Sequence, residues 1–363
     1  MEKMVKTQEK LSFYRGKKIF LTGHTGFKGS WMAKWLMELG AEVYGYSLAP
    51  PTSPSHFSLL NLDMQSCIED IRDKVALARA IKLFKPDIIF HLAAQPLVRY
   101  SYDNPFETYE VNVMGTLNLL EASKDVDSVR AIVNITTDKC YKNKEWEWGY
   151  RESDELGGHD PYSSSKACSE ILTESYRNSY FNIKNYGKNH NCLIATARAG
   201  NVIGGGDWST DRIIPDLIKS KNLNQKVHIR NPYAVRPWQH VLEPLCGYLV
   251  LGYHLFQGDP TYASSWNFGP NNNQVYQVKD IASQGNEIFK GALNIELDDG
   301  RSNLHEAGVL LLDSSRAKKH LHWEGLMDFD TTVKMTFEWY KNFYDQNELN
   351  TTKNIEEFTN LIV

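Results

Sequence analysis

Residues 17–40 read KKIFLTGHTGFKGSWMAKWLMELG and hold three local codes in succession. The first six are a β-type run ending at Thr22, and predict a strand starting at Lys17 or Lys18. Glycines follow at Gly23, Gly26 and Gly29. A helix is then predicted over Ser30 to Leu39, because Trp31, Ala33, Trp35, Leu36 and Leu39 share one buried side, and Gly40 stops it. Strand, glycine turn and helix start in this order let backbone approach a pyrophosphate, which the free N–H groups of the helix start then bind. The spacing is Gly-x-x-Gly-x-x-Gly rather than Gly-x-Gly-x-x-Gly, and a tight turn without ligand uses the same residues.

Working outward, a second strand is predicted over Glu42 to Ser47. It ends where an acidic residue would meet an adenosine ribose, and Ser47 stands there instead. No Lys or Arg lies between Lys34 and Arg72, so nothing local would pair with a ribose 2′-phosphate, and NAD is expected rather than NADP. Further on, helices are expected at Asp73–Phe84, Phe106–Ala122 and Pro161–Tyr180, and strands at Asp87–His91, Arg130–Ile135 and Cys192–Arg198. That alternation predicts an α/β protein with a Rossmann-type doubly wound parallel sheet. Asp70 and Ile71 are placed to edge an adenine, and Ala93, Ala94 and Gln95 follow a strand that passes the cofactor closely. With Thr136, Tyr162 and Lys166, they join Gly23, Gly26, Phe27, Lys28, Gly29 and Ser47 as the expected cofactor-binding set. Ser47, His24 and Lys28 together predict weaker cofactor binding than an acidic ribose partner would give.

The organisation expected is a flexible lead-in over 1–16, a cofactor-binding Rossmann domain over 17–198 with later contributions around 237–268, a mainly substrate-binding smaller α/β region over 199–346, and a peripheral tail over 347–363. A length of 363 residues suits one large α/β unit or two joined domains. A formal charge of −4 and the lack of a long basic block argue against nucleic acid or an anionic membrane as partner. No apolar h-region and no run of about 18 apolar residues occurs, so a cytoplasmic setting is expected, with no membrane span. The five scattered cysteines contain no Cys-x-x-Cys pair, which fits free thiols in a reducing compartment and no metal site.

The densest chemistry lies between Asn134 and Glu170. An apolar strand ends in Thr136, Thr137, Asp138 and Lys139, polar groups at the strand end where open α/β sheets bind ligands. Downstream, Tyr162 and Lys166 are four apart, which puts phenol and ammonium on one helix face. Trp146 and Trp148 between them suit either a cover for the ligand or ordinary packing.

The glycine turn, His91-Leu92-Ala93-Ala94, Asn112-Val113-Met114-Gly115-Thr116 and Tyr162-x-x-x-Lys166 together resemble the extended short-chain dehydrogenase/reductase family, from Lys18 to about Tyr340. Within it, Thr137-Asp138-Lys139, the run from Arg198 to Trp208, and Arg236-Pro237-Trp238-Gln239-His240-Val241 are similar to the CDP-glucose 4,6-dehydratase branch. The resemblance implies an NAD-using hydro-lyase of deoxysugar biosynthesis for surface polysaccharide such as O-antigen, with a CDP-glucose substrate and a homodimer built on the helices 106–122 and 161–180. It implies oxidation at C4, elimination of water across C5 and C6, and return of the hydride to C6. Tyr162 would be the base for the C4 hydroxyl, Lys166 would stabilise its phenolate, and Thr137 would hold the same oxygen. Asp138 would donate to the departing C6 hydroxyl. Lys139 would take the C5 proton as a neutral amine, stabilise the enolate as a cation, or merely be solvated. Gln95, Asn201, Arg230, Arg236 and Arg301 are the expected substrate-binding residues. His240 and His305 are too widely spaced for a clear ligand pair. A 4-epimerase, a dehydratase of another nucleotide sugar, and a non-catalytic NAD-binding regulator remain open alternatives.

Overall fold

The computed structural model describes residues 2–271, 276–298 and 308–362. Along the chain, α1 (Glu2–Ser12) precedes β1 (Lys18–Thr22), α2 (Phe27–Glu38) and β2 (Glu42–Ser47). A short α3 (His56–Leu60) leads to β3 (Gln65–Ile68), α4 (Lys74–Phe84) and β4 (Ile88–His91). After α5 (Val98–Asp103), α6 (Pro105–Tyr109) continues through a π-helical turn (Glu110–Met114) into α7 (Gly115–Lys124), followed by β5 (Ala131–Ile135), α8 (Pro161–Ser179) and β6 (Leu193–Ala199). The remainder holds β7 (Val202–Ile203), α9 (Ile213–Asn222), β8 (Lys226–Ile229), β9 (Gln239–His240), α10 (Leu242–Phe256), β10 (Ser265–Phe268), α11 (Val278–Ile288), β11 (Asn294–Leu297), α12 (Phe329–Gln346) and α13 (Thr351–Leu361).

Seven strands form one sheet in the order β10-β6-β5-β4-β1-β2-β3, and all its pairings are parallel. Alternate side chains serve opposite faces, as a two-residue period requires. Ile19 and Leu21 of β1 join one core with Trp31, Trp35 and Leu36 of α2 and Leu245 and Leu249 of α10. Phe20 joins the other with Leu77, Ile81 and Phe84 of α4. β5 and β6 repeat the division, with Ala131, Val133, Leu193 and Ala195 on the first face and Ile132 and Ile194 on the second. The strand order reverses between β1 and β4, so their C-terminal ends open a crevice there.

Several expectations change. Helix α2 begins at Phe27, not Ser30, because Gly29 belongs to its first turn. A Cβ on Gly29 would stand 2.0 Å from the Gly23 carbonyl oxygen, so the turn closes only around a glycine. Within the lead-in expected over 1–16, Glu2–Ser12 form α1, Leu11 and Tyr14 are buried, and the Tyr14 hydroxyl donates to Leu249 O at 2.6 Å. Within the tail expected over 347–363, Thr351–Leu361 form α13. Ile355 and Phe358 of α13 are buried, and the Phe358 ring meets Trp35 of α2 edge-on at 5.7 Å.

The helix expected over 106–122 contains a π-turn at Glu110–Met114. Asn112 in that turn accepts from Gln95 N (2.9 Å) and donates to Gln95 O and to Ser165 Oγ (2.9 Å). It therefore ties the loop after β4 to α8. Helix α8 starts sharply because Asp160 caps it, accepting from Ser163 N at 2.9 Å, and Pro161 occupies the first turn. That start fixes Tyr162 at the mouth of the crevice.

Candidate active site

A cavity of about 1320 Å³ lies over the C-terminal ends of the strands. Its wall includes Gly23, Gly26, Phe27, Lys28, Gly29, Ser47, Asp70, Ile71, Ala93, Ala94 and Thr136 from the expected cofactor set. Thr137, Lys139, Tyr162 and Lys166 line the same cavity, as do Asn201, Arg230 and Arg236. Gln95 does not: its side-chain nitrogen donates to Thr108 Oγ1 (2.8 Å) and its oxygen accepts from Leu97 N (2.5 Å), so it builds the loop rather than facing a ligand. Arg301 lies outside the described residues.

At the β1 end the wall is backbone. The N-cap of α2 is Gly26, no side chain caps it, and no acidic residue sits in the first turn. The N–H groups that start a helix are left for a ligand, and a Cβ on Gly26 would meet only the Gly23 oxygen, at 3.4 Å. Gly23, at φ +76°, is needed for another reason: a Cβ there would strike Ala93 N at 2.7 Å, where the loops after β1 and β4 touch. Ser47 hydrogen-bonds Thr25 at 2.9 Å beside this turn. The arrangement fits a dinucleotide. His24 takes no part, since its buried ring lies against Gly45, hydrogen-bonds Ser66 at 2.7 Å, and burial pushes its pKa down to about 4. Its contribution to cofactor affinity, expected from sequence, therefore falls away. Lys28 does line the cavity; desolvation, with Arg212 nearby, pushes its amine down to about 7, while Asp138 opposes the shift.

At the β5 end the wall is side chains. Thr137 caps a single 3₁₀ turn, Asp138–Cys140, accepting from Lys139 N at 3.3 Å. Its hydroxyl donates to Asp138 Oδ1 at 3.1 Å, and Lys139 Nζ lies 3.3 Å from the same oxygen and 3.4 Å from Asn201 Oδ1. Asp138 is 0% exposed and sits behind the wall, with Oδ2 lacking a hydrogen-bond partner among the described residues. Tyr162 lies beside Thr137, which hydrogen-bonds it. Burial pushes the phenol up to about 12, while Thr137 and the Arg212 charge pull it back. Lys166 donates to Ile135 O at 3.3 Å, and burial pushes it down to about 8 against the charge of Glu170.

Arg212 is the residue that sequence reasoning missed. It lines the cavity, pairs with Asp207 at 2.7 Å, and is held there because Asp207 N donates to the Tyr340 hydroxyl while that hydroxyl donates to Asp207 O. The Asp207/Arg212 spacing follows a triple glycine, but only the folded loop brings it beside Tyr162. Of the expected substrate arginines, Arg230 pairs with Asp211 at 2.9 Å and Arg236 donates to Val235 O at 2.8 Å. Trp146 packs on Tyr150 and Trp148 is exposed; neither lines the cavity. His240 is buried and pushed down to about 3 by desolvation, which makes it a neutral core residue. All five cysteines are free, and no group of three or more His, Cys, Asp or Glu able to hold a metal occurs among the described residues.

Comparison with known proteins places this geometry. The family model described as GDP-mannose 4,6 dehydratase matches residues 20–336. The CDP-glucose 4,6-dehydratase of Salmonella typhimurium is 50% identical over 332 residues, covering 91% of this chain and 92% of that protein. Among solved structures, the epimerase Mth375 of Methanothermobacter thermautotrophicus superposes with a TM-score of 0.79 at 23% identity, covering 93% of this chain and 96% of the other. DesIV, a dTDP-glucose 4,6-dehydratase from Streptomyces venezuelae with NAD and DAU bound, gives 0.73 at 20% identity, covering 89% and 96%. These two likenesses speak for the fold. With a model that spans most of its length and a relative that shares half its residues, the chain belongs to the GDP-mannose 4,6 dehydratase family, on the fold of the extended short-chain dehydrogenase/reductases.

Proposed function

We propose that this protein is a CDP-glucose 4,6-dehydratase, converting CDP-D-glucose to CDP-4-dehydro-6-deoxy-D-glucose and water. The observation that carries the reading is the 50% identity, over 91% of the chain, to the Salmonella typhimurium enzyme of that name. The cavity supports it by bringing Thr137, Lys139, Tyr162 and Lys166 to one wall beside a backbone cradle. The family's name speaks of GDP-mannose, but Lys139 after the strand acid and the lack of basic residues between Lys34 and Arg72 favour the CDP-glucose branch with NAD.

NAD, when held by the start of α2 and by Ser47, Asp70 and Ile71, supplies the hydride acceptor and donor. The chain's own groups move the protons. Tyr162 takes the proton of the C4 hydroxyl, Thr137 holds that oxygen, and cationic Lys166 stabilises the phenolate. Once C4 is a carbonyl, the C5 proton is acidic enough for an amine. Lys139 and Asp138 form a pair in which one proton, moved from ammonium to carboxylate, leaves a neutral base for C5 and an acid for C6. Asp138 Oδ2, which has no hydrogen-bond partner among the described residues, is the oxygen that would carry that proton. Two protons leave the sugar, from the C4 hydroxyl and C5. Two are consumed, by the departing C6 hydroxyl and by return to C5, and the hydride lost at C4 is regained at C6, so protons balance and there is no net redox change.

Lys28 and Arg212 line the cavity and suit a diphosphate, with Asn201, Arg230, Arg236 and Arg301 proposed as further substrate contacts. A homodimer is part of the reading: Phe106, Tyr109, Ile171 and Tyr180, on α6 and around α8, leave large apolar surfaces exposed. So are a cytoplasmic setting and a role in deoxysugar supply for surface polysaccharide such as O-antigen; no described helix is long and apolar enough to cross a membrane.

The test is incubation with NAD and a panel of nucleotide hexoses, followed by the alkali-shifted absorbance of a 4-keto-6-deoxy product. Product chiefly from CDP-glucose is expected. Product chiefly from dTDP- or GDP-sugars, or C4-epimerised sugar instead, would replace the substrate or the reaction; no product from any sugar would leave an NAD-binding regulator.

A further inference from the structure

Helix α8 carries two charged residues one turn apart on its sheet side. Lys166 lines the cavity; Glu170 does not, and is 2% exposed. A carboxylate so deep is costly unless it is paired and fully hydrogen-bonded. Glu170 meets both conditions. Its Oε1 accepts from the Thr136 hydroxyl, and its Oε2 accepts from the Thr196 hydroxyl at 2.7 Å and from Arg198 Nη2 at 2.8 Å. Burial alone would raise its pKa, but Arg198 and these hydroxyls hold it below the usual range, so it is ionised. Arg198 in turn donates through Nη1 to the Tyr141 hydroxyl at 2.8 Å and to Glu152 O at 3.2 Å. The pair thus binds together the end of β5, β6, α8 and the segment that follows Lys139.

Stability alone does not call for such a device, since an apolar cluster of the same volume holds elements together as well as a buried ion pair. Its position is more telling. Thr136 is the residue before Thr137-Asp138-Lys139, and Glu170 is one turn along α8 from Lys166. The titratable groups facing Lys166 are Glu170 on its own helix, Cys140 from the 3₁₀ turn, Lys28 from α2 and His91 from β4, while Tyr162, one turn before it on α8, lines the same cavity. Lys28 repels it. Burial keeps His91 neutral and pushes the Cys140 thiol up, so that it too stays neutral. Glu170 is the carboxylate among these groups.

We infer that Glu170 is a positioning residue for the reaction: paired with Arg198 beneath the cavity, it anchors the Thr136–Lys139 turn against α8 and keeps Lys166 cationic behind the Tyr162 phenol. This deepens the dehydratase reading and rests on it. A nearby negative charge favours the protonated amine, so removing it lets Lys166 lose its proton at lower pH, and activity fails earlier on the alkaline side.

The experiment is the pH profile of kcat/KM for CDP-glucose with NAD, in the wild type and in Glu170→Gln. Relative to the wild type, the variant is expected to fall about tenfold further at pH 8.5 than at pH 6.5, its alkaline limb displaced downward by about one pH unit. Since the single change leaves a buried guanidinium unpaired, Glu170→Gln with Arg198→Met is measured beside it, with thermal unfolding as the control for folding. Both folded variants should show the displaced limb. A limb at the wild-type pH, with activity lost evenly across the range, would overturn the inference. A reading free of turnover is the pH dependence of Lys166 acetylation by acetic anhydride, resolved by peptide mass spectrometry. Its half-maximal pH should fall in the variants, and an unmoved value contradicts the inference even if CDP-glucose is not the substrate. Wild-type protein inert towards CDP-glucose would instead defeat the substrate reading.

Discussion

β1 and β5 both end at the cavity, and they end in opposite ways. β1 runs into a turn whose wall is backbone, with an uncapped helix start at Gly26 and glycines that let two loops touch. β5 runs into a turn whose wall is side chains, Thr137 and Lys139 with Asp138 behind them, facing Tyr162 and Lys166. Backbone N–H groups recognise a pyrophosphate by shape and partial charge, and carry out no proton transfer there. Side chains at a strand end can be swapped without disturbing the sheet, so they decide the reaction. One end therefore says that a dinucleotide binds, and the other says what is done.

The comparison can be broken at either end, and the largest effect is expected at β5. Tyr162→Phe removes the C4 base and should lower kcat about a thousandfold, while NAD and CDP-glucose affinities stay within a few-fold. A variant with a tenth of the wild-type kcat would mean that the phenol is not the base.

At the β1 end two neighbouring glycines should behave differently. Gly29→Ala forces a Cβ to within 2.0 Å of the Gly23 oxygen, so it should cost about 2 kcal/mol or more of stability in denaturant unfolding and abolish NAD binding. Gly26→Ala leaves its nearest contact at 3.4 Å and should unfold like the wild type, yet bind NAD about tenfold more weakly, because the methyl group enters the cradle. Equal stability losses for the two would mean that Gly26 is not open to a ligand.

Acid acts on the same side of the molecule. His56 is held by Ser30 and Thr351 at 2.8 Å each and His91 by Thr22 at 2.7 Å, and burial pushes both down to about 3. With His24, they surround the β1 side. Each folded-state value lies below the unfolded one, so the unfolded chain takes the extra protons. The stabilisation is complete above about pH 6.5 and is lost as pH falls towards 3. At pH 5, His56 and His91 should each have forfeited about 2 kcal/mol, read as a falling Cm between pH 7 and pH 5. A Cm that stays level over that range would show these rings charged or exposed in the folded state.

Local codes were legible in the sequence. The strand–glycine–helix run, the alternation that makes a parallel sheet, and the Tyr162/Lys166 spacing each depend on neighbours within about a turn. The start of α2 was read three residues late because a glycine looks like a turn, whereas Gly29 is helical so as to clear Gly23. α1 and α13 looked peripheral because their composition is polar and their few apolar residues are buried by contacts distant in sequence, such as Phe358 on Trp35. The same holds within the site. Arg212 reaches Tyr162 only because Tyr340 fixes the Asp207 loop, and Gln95 is turned away by Thr108. Glu170 and Arg198 gave no sign of pairing, since they meet across two elements at the base of the cavity.

In the function proposed, the Asp138–Lys139 pair at the end of β5 turns oxidation at C4 into loss of water. Its most direct test is the reaction in D₂O with CDP-glucose and NAD, comparing the wild type with Lys139→Met. Wild-type product should carry solvent deuterium at C5, and the variant should be at least about a hundredfold slower both in labelling C5 and in releasing 4-keto-6-deoxy sugar. Deuterium entering C5 at the wild-type rate in Lys139→Met would contradict it.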